Sequence, residues 1–341
     1  MGRPQAMKVS VVIPVYNKGP FLREAVDSIL AQTHADFELI CVDDKSTDHS
    51  LEVLRTIQDP RLRIIELAEN GGPGVAANAG LDAARGQYIV RMDADDIAVP
   101  ERIALQVAFM DARPELVLSG GRMRLFGAED ETWNYPLDAD ACAAQLVFGV
   151  PVVQGASIMR RSVLEAHHLR YDPAWPRIGE DWLFWLRMAP YGRMANLPEV
   201  LVHYRRGPQN IAHGRDKAAD TAPLQAAAFR ALGIPFTAEQ LELQLMGSTL
   251  FKRKPTPAHV GALRHWYNGL VALNGTLHFA PEPAFGQRVE QQWNKLFHHL
   301  PRYGMATAWA HMRLSGQWPM DRVAYALKYR INARLGRLPN G

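Results

Sequence analysis

The chain has 341 residues, 48% of them hydrophobic, and a formal net charge of +3. That apolar content can fill one large core, or one core plus an appendage, and so balanced a charge makes no demand for nucleic acid. Two cysteines, Cys41 and Cys142, give no disulfide framework. The first residues, Met1-Gly2-Arg3-Pro4-Gln5-Ala6, lack the apolar centre of a secretory signal, and no apolar run reaches the roughly 18 residues of a membrane span. A cytoplasmic, reduced protein is the expectation.

Val9-Ser10-Val11-Val12-Ile13-Pro14-Val15 reads as a buried strand, with Pro14 near its end because proline cannot donate to a ladder. Phe21, Leu22, Ala25, Val26, Ile29 and Leu30 then recur at helical spacing. Phe37 to Val42 makes a second strand closed by Asp43-Asp44, and Ser46-Thr47-Asp48 supplies caps for a helix carrying Leu51, Val53, Leu54 and Ile57. A third strand, Leu62 to Leu67, leads through Asn70-Gly71-Gly72-Pro73-Gly74 into an alanine-rich helix ending near Arg85. The fourth strand, Tyr88 to Met92, is apolar apart from Arg91 and ends in Asp93, Asp95 and Asp96. A helix from about Glu101 and a strand at Val117-Leu118 follow. Strands alternating with helices through short links predict a doubly wound, largely parallel α/β sheet, which binds ligands beyond the carboxyl ends of its strands. Asp43, Asp44, Asn70, Asp93 and Asp95 all fall there.

Crowded carboxylates resist ionising together unless something neutralises them. A hard divalent cation held by one or two carboxylates plus a substrate's phosphates would do so; an acidic turn before the helix at Pro100-Glu101 is the competing reading. A dinucleotide site is rejected because the first strand runs into Pro14-Val15-Tyr16-Asn17-Lys18-Gly19 rather than G-x-G-x-x-G. A P-loop is rejected because Gly71-Gly72-Pro73-Gly74 is followed by Val75-Ala76. Neither His-Glu-x-x-His nor paired Cys-x-x-Cys occurs, which argues against zinc chemistry.

Four blocks in order carry a resemblance: Val12-Ile13-Pro14-Val15-Tyr16-Asn17; Val42-Asp43-Asp44-Lys45-Ser46-Thr47-Asp48; Arg91-Met92-Asp93-Ala94-Asp95-Asp96; and Gly179-Glu180-Asp181-Trp182. Singly each is weak, but together across a βαβ pattern they make Val9 to about Arg206 resemble the family 2 glycosyltransferases, with the members that build bacterial surface polysaccharide and lipopolysaccharide nearest in pattern. The resemblance implies the GT-A nucleotide-diphospho-sugar transferase fold over residues 7–215, a nucleotide-sugar half to about 120 and an acceptor half after it; residues 216–341 read as a helical region from their own pattern. It implies an inverting hexosyltransferase using Mn2+ or Mg2+, with a UDP-sugar as expected donor and a glycan or lipid-linked acceptor. Pro14, Tyr16 and Asn17 would line the nucleotide pocket, Asp43 would accept from the uracil ring, and Asn70 and Asn78 would lie beside base and sugar. Family members often have Arg before that second Asn; here it is Ala77.

By the same resemblance Asp95 and Asp93 hold the metal, with Asp93 on the ribose or reaching the ion through water, and Asp181 is the general base that takes the acceptor hydroxyl's proton. Glu180, Gln154, where the family often has His, and Trp182 are weaker acceptor-side candidates. Arg205 and Arg206 suit the diphosphate. The closing segment, usually Tyr-Arg-x-His, has Gly207 in the histidine's place, so His203, His213 or a water would complete the metal site. A nucleotidyltransferase, or a catalytically silent nucleotide- or glycan-binding partner of another transferase, are the competing functions.

Beyond about Asp216 the resemblance stops. Thr237-Ala238-Glu239-Gln240 fits a capping box, Thr256-Pro257 opens another helix, and Phe285, Val289, Trp293, Leu296 and Leu300 form a stripe expected to pack on the catalytic core. The last helix combines an apolar stripe (Val323, Leu327, Ile331, Leu335, Leu338) with Arg322, Lys328, Arg330, Arg334 and Arg337. Such a helix either lies on an anionic membrane, giving peripheral attachment at its inner face, or docks on the protein with its arginines solvated.

Overall fold

A computed structural model describes residues 7–175, 178–207, 210, 218–251, 254–316 and 320–334. The chain divides between Asp220 and Thr221 into two compact units.

In the first unit, β1 (Val9–Val15) lies between β2 (Phe37–Asp43) and β4 (Tyr88–Arg91), and β3 (Leu62–Glu66) borders β2. All four run parallel. β1, β2 and β4 are buried on both faces, which is why they read as unbroken apolar runs rather than alternating ones. The intervening helices are α1 (Gly19–Leu30), α2 (Ser50–Arg55) and α3 (Pro73–Ala83), followed by α4 (Arg102–Asp111). Leu22, Ala25, Val26 and Ile29 of α1, predicted from their spacing, pack into the core with Val9, Val11, Ile13 and Val15.

The second half of the sheet departs from the parallel expectation. It adds β5 (Ile97–Ala98), β6 (Leu116–Gly127), β7 (Thr132–Trp133), β8 (Ile158–Arg160) and β9 (Arg193–Arg206). The order is β3-β2-β1-β4-β8-β6-β9-β5, with β7 paired to β6. β8 is antiparallel to both β4 and β6, and β5 to β9, while β6 and β9 run parallel. The sheet is therefore mixed. β8 reverses direction beside β4, so the loop before it returns to the carboxyl end of β4 and closes over the acidic residues there. Three helices lie along this half: α5 (Ala139–Gln145), α6 (Arg161–Ala166) and α7 (Glu180–Met188).

The second unit is helical: α8 (Ala218–Ala231), α9 (Ala238–Ser248), α10 (Pro257–Leu277), α11 (Ala284–Leu296), α12 (Met305–Leu314) and α13 (Met320–Arg334). The capping box at Thr237 and Gln240 forms as predicted, and Thr256 makes another with His259. The Phe285–Leu300 stripe is buried against helices of its own unit, correcting the expectation that it needs the catalytic core. Trp293 at its centre stacks on His311 of α12 at 4.0 Å, donates to Ser315 Oγ, and lends its carbonyl to His311 Nε2 at 2.8 Å. Among the described residues no helix is long and apolar enough to cross a membrane.

Candidate active site

The carboxyl ends of β1, β2 and β4 meet at one edge of the sheet, because Val15 is in register with Asp43 and Val12 with Arg91. Asp43, the last residue of β2, is buried. Its Oδ2 accepts from the Ser46 N–H at 3.2 Å, and among the described residues its Oδ1 has no hydrogen-bond partner. An orphaned buried acceptor costs about 1–3 kcal/mol, so the position suits a ligand that brings a donor. Asp44 beside it turns inward and takes the N–H groups of Gly71 and Gly72, both at 2.8 Å, which fixes the turn leading into α3. Asn70 donates to the Asp44 carbonyl in the same turn.

Around this end the predicted pocket residues divide. Tyr16 is exposed at 41%, and Pro14 is half-buried beside Asp43's neighbours. The Asn17 side chain ties the β1–α1 turn to the β2–α2 loop, donating to Thr47 Oγ1 and accepting from the Thr47 and Asp48 N–H groups. Asn78 is clasped at both ends by the Tyr171 backbone. Both amides hold loops in place.

The acidic cluster follows β4. Asp95 is buried, and the Lys18 ammonium lies 2.6 Å from its Oδ2. Burial pushes the Asp95 carboxyl above its usual range against the opposing influence of Lys18. Asp93 reaches the surface, paired at 3.1 Å with Arg91, whose side chain is buried in the sheet and also donates to the Met92 carbonyl. Asp96 is fully buried: Oδ1 accepts from the Arg205 N–H at 3.0 Å, Oδ2 has no partner among the described residues, and burial with repulsion from Asp93 and Asp95 holds its carboxyl well above normal. Arg102, also fully buried, donates to the Arg91 carbonyl at 2.7 Å; burial lowers its guanidinium to about 9, while Asp96 and Asp93 pull the other way. Gly155, in the short 3-10 turn Gln154–Ala156, abuts Asp93: a Cβ there would stand 2.9 Å from Asp93 Oδ2. The glycine lets that turn, with Gln154 at its start, lie close over the cluster without displacing the Asp93 carboxylate.

Glu180 and Asp181 form the first turn of α7, entered through Gly179 in the left-handed conformation. Burial is the main cause that pushes Asp181 up to about 6 and Glu180 to about 8. Asp93 raises both further and Arg91 lowers both, so this pair and the β4 aspartates share one electrostatic site. Two tyrosines join it that the motifs do not flag: burial and Asp181 push up the Tyr135 hydroxyl, and burial with the three aspartates pushes up that of Tyr204. Lys18, Arg91 and Arg102 stand outside the motif roles too, although one charge inside an apolar strand is a visible sign that Arg91 needs a buried anion.

The remaining candidates make other contacts. Trp182 is buried and donates its indole N–H to the Leu146 carbonyl at 2.9 Å, so it offers no face to an acceptor. His203 packs edge-on against Phe126. Strand alternation puts it on the face opposite Tyr204. His213 lies outside the described residues. Arg205 sits between the Phe21 and Phe126 rings, bonded to Glu24 and to the Asp95 carbonyl, and Arg206 pairs with Glu129 over Trp133.

Among the described residues no three His, Cys, Asp or Glu side chains converge as a metal cage. The donor set that is present, Asp93 and Asp95 with only oxygen atoms, fits a hard divalent ion completed by substrate phosphates.

Comparison with known proteins gives the following. The family model "Glycosyl transferase family 2" matches residues 10–167. The succinoglycan biosynthesis protein ExoO of Rhizobium meliloti is 34% identical over 215 residues, 58% of this chain and 61% of its own. EpsE of Bacillus subtilis is 31% identical over 202 residues, 58% of this chain and 73% of its own. The chain thus spans under two thirds of the length of curated relatives such as ExoO. Staphylococcus aureus TarS, solved with UDP-GlcNAc, superposes with a TM-score of 0.59 at 18% identity, over 92% of this chain and 93% of that one. The mannosyltransferase PcManGT of Pyrobaculum calidifontis, solved with GDP-Man and Mn2+, gives 0.53 at 19% identity, over 95% and 86%.

Proposed function

This chain belongs to the family 2 glycosyltransferases, and from that premise we propose that it is an inverting, metal-dependent enzyme moving a sugar from a UDP-sugar to a glycan or lipid-linked acceptor in cell-surface polysaccharide synthesis. Its fold is the GT-A fold that the motifs lead one to expect. The observation that carries the reading is that Asp93 and the Glu180-Asp181 pair share the buried Arg91, with the orphaned Asp43 oxygen at the same carboxyl end of the sheet.

Each group then has a task its surroundings suit. Asp43 Oδ1 accepts the N–H of the base. Asp93 and Asp95 would hold the divalent ion, which when bound supplies Lewis-acid stabilisation of the departing diphosphate. Asp181 takes the proton of the acceptor hydroxyl as that oxygen attacks the anomeric carbon. The bond from that carbon to the diphosphate breaks with its electron pair leaving on the nucleotide, and one displacement inverts the configuration. Glu180, raised to about 8 and so protonated near neutrality, can donate to an acceptor oxygen while Asp181 is ionised.

Calorimetric titration of UDP and of GDP, with Mn2+ and with EDTA, tests the donor. Metal-dependent UDP binding without GDP binding is the expected result. The reverse preference moves the donor to a GDP-sugar, as in PcManGT, and no binding of either nucleotide overturns the reading.

Peripheral membrane attachment belongs to the same reading. Arg322, Tyr325 and Ala326 face α13 inward: Arg322 bonds Asn294 over the Phe297 ring, Tyr325 bonds the His298 carbonyl, and Ala326 is buried. The opposite face, Met320, Ala324, Leu327 and Ile331 by helical spacing, is exposed, with Leu327 at 45% and Ile331 at 57%. Lys328 and Arg330 flank it, a pattern suited to an anionic bilayer surface. Arg334's side chain, Leu335, Arg337 and Leu338 lie outside the described residues. Leu327→Glu with Ile331→Glu is expected to abolish co-sedimentation with phosphatidylglycerol vesicles and leave the fold's melting temperature unchanged. Equal sedimentation of variant and wild type would rule the attachment out.

A further inference from the structure

Both carboxylates that would hold the metal are already paired with the protein's own cations, but the two cations are held differently. Arg91 is locked inside β4, bonded to Asp93 and to the Met92 carbonyl. Lys18 precedes α1, with its backbone N–H fixed to Ser50 Oγ at 2.8 Å. Its flexible stem carries the ammonium to Asp95 Oδ2, 2.6 Å away, with side chains 14% and 6% exposed. A divalent ion taking the same carboxylate oxygen would stand within a few ångströms of that ammonium, and in a poorly solvated site the repulsion is large. Yet without any cation Asp95 would be a buried charge beside Asp93 and Asp96.

We propose that Lys18 is the resident counter-ion of Asp95, neutralising the cluster until donor binding and yielding Asp95 to the metal as a diphosphate draws the ammonium away. The metal-only half of this stands on the pairing itself, and the diphosphate half rests on the donor reading above. A diphosphate offers oxygens to both cations at once, so metal and nucleotide should each tighten the other by the same factor.

The test is Mn2+ titration of the full chain, followed by the electron paramagnetic resonance signal of free Mn2+, for wild type, K18M, K18R and K18M/D95N. With metal alone, K18M is expected to bind Mn2+ at least about tenfold more tightly than wild type, because the competing charge is gone. K18R should match wild type, and K18M/D95N should lose the gain. Added UDP should tighten Mn2+ binding in wild type by a larger factor than in K18M. Equal or weaker Mn2+ binding by K18M, including none at millimolar metal, overturns the proposal. Where K18M fails to give a wild-type circular dichroism spectrum, K18Q takes its place. Failure of UDP to bind any variant would sink the donor reading instead, while the metal-only shift still decides the role of Lys18.

Discussion

Asp181→Asn is expected to lower kcat by about 10³-fold, within the range attributed to a positioned base, and to leave UDP affinity within about twofold of wild type. Asparagine keeps the size of the side chain and can still accept from the Trp182 N–H, as Asp181 Oδ1 does at 2.8 Å, so the first turn of α7 should survive. What it cannot do is take a proton. The wild-type enzyme should also report the base through pH. Burial raises Asp181 to about 6, and a base acts only when ionised, so kcat/KM should rise as pH increases through about 6 and level off above it. Glu180→Gln should leave that rise and its midpoint in place, because Glu180, raised to about 8, is already uncharged where Asp181 titrates. A variant Asp181→Asn with more than about a tenth of wild-type turnover, or a flat profile across this window, would assign the proton transfer to another group.

How far the sequence carries this reading depends on whether the relevant contact is local. β1, β2 and β4 announce themselves because strands buried on both faces must be continuously apolar, and the acidic residues at their ends follow by counting. The long β6 does not. Its expected end at Leu118 reflects Gly120-Gly121, which reads as a turn. In the fold these glycines are points of close approach, where a Cβ would meet Val152 Cγ1 at 2.6 Å and Leu201 Cδ1 at 2.5 Å. Periodicity cannot distinguish a glycine that bends the chain from one that admits a neighbour. The same limit hides Lys18, whose partner Asp95 is 77 residues away. The motifs identify the anions of the site; the cations that make those anions tolerable become visible only when the chain is folded.

That division bears on the second large effect. Asp95→Ala is expected to weaken UDP binding in the presence of Mn2+ by about 10²-fold or more, since a metal bridging to the diphosphate is worth several kcal/mol, and to abolish the difference between Mn2+ and EDTA. Alanine removes two things at once, however: a metal ligand and the partner of a largely buried ammonium. Breaking such a pair from one side costs more than deleting it whole, because the remaining charge stays desolvated. Asp95→Asn separates the two losses, because its carbonyl can still accept from Lys18 while its neutral amide is a poor ligand for a hard divalent ion. Both variants should therefore lose metal-dependent nucleotide binding alike, with Asp95→Ala melting lower than Asp95→Asn. Adding Lys18→Met to the alanine variant should recover part of the lost stability without recovering nucleotide binding, since it removes the stranded charge and restores no ligand. If Asp95→Asn instead binds UDP with Mn2+ as wild type does, the ion is not held by Asp95, and the buried Lys18–Asp95 pair is a fixture of the fold rather than part of the donor site.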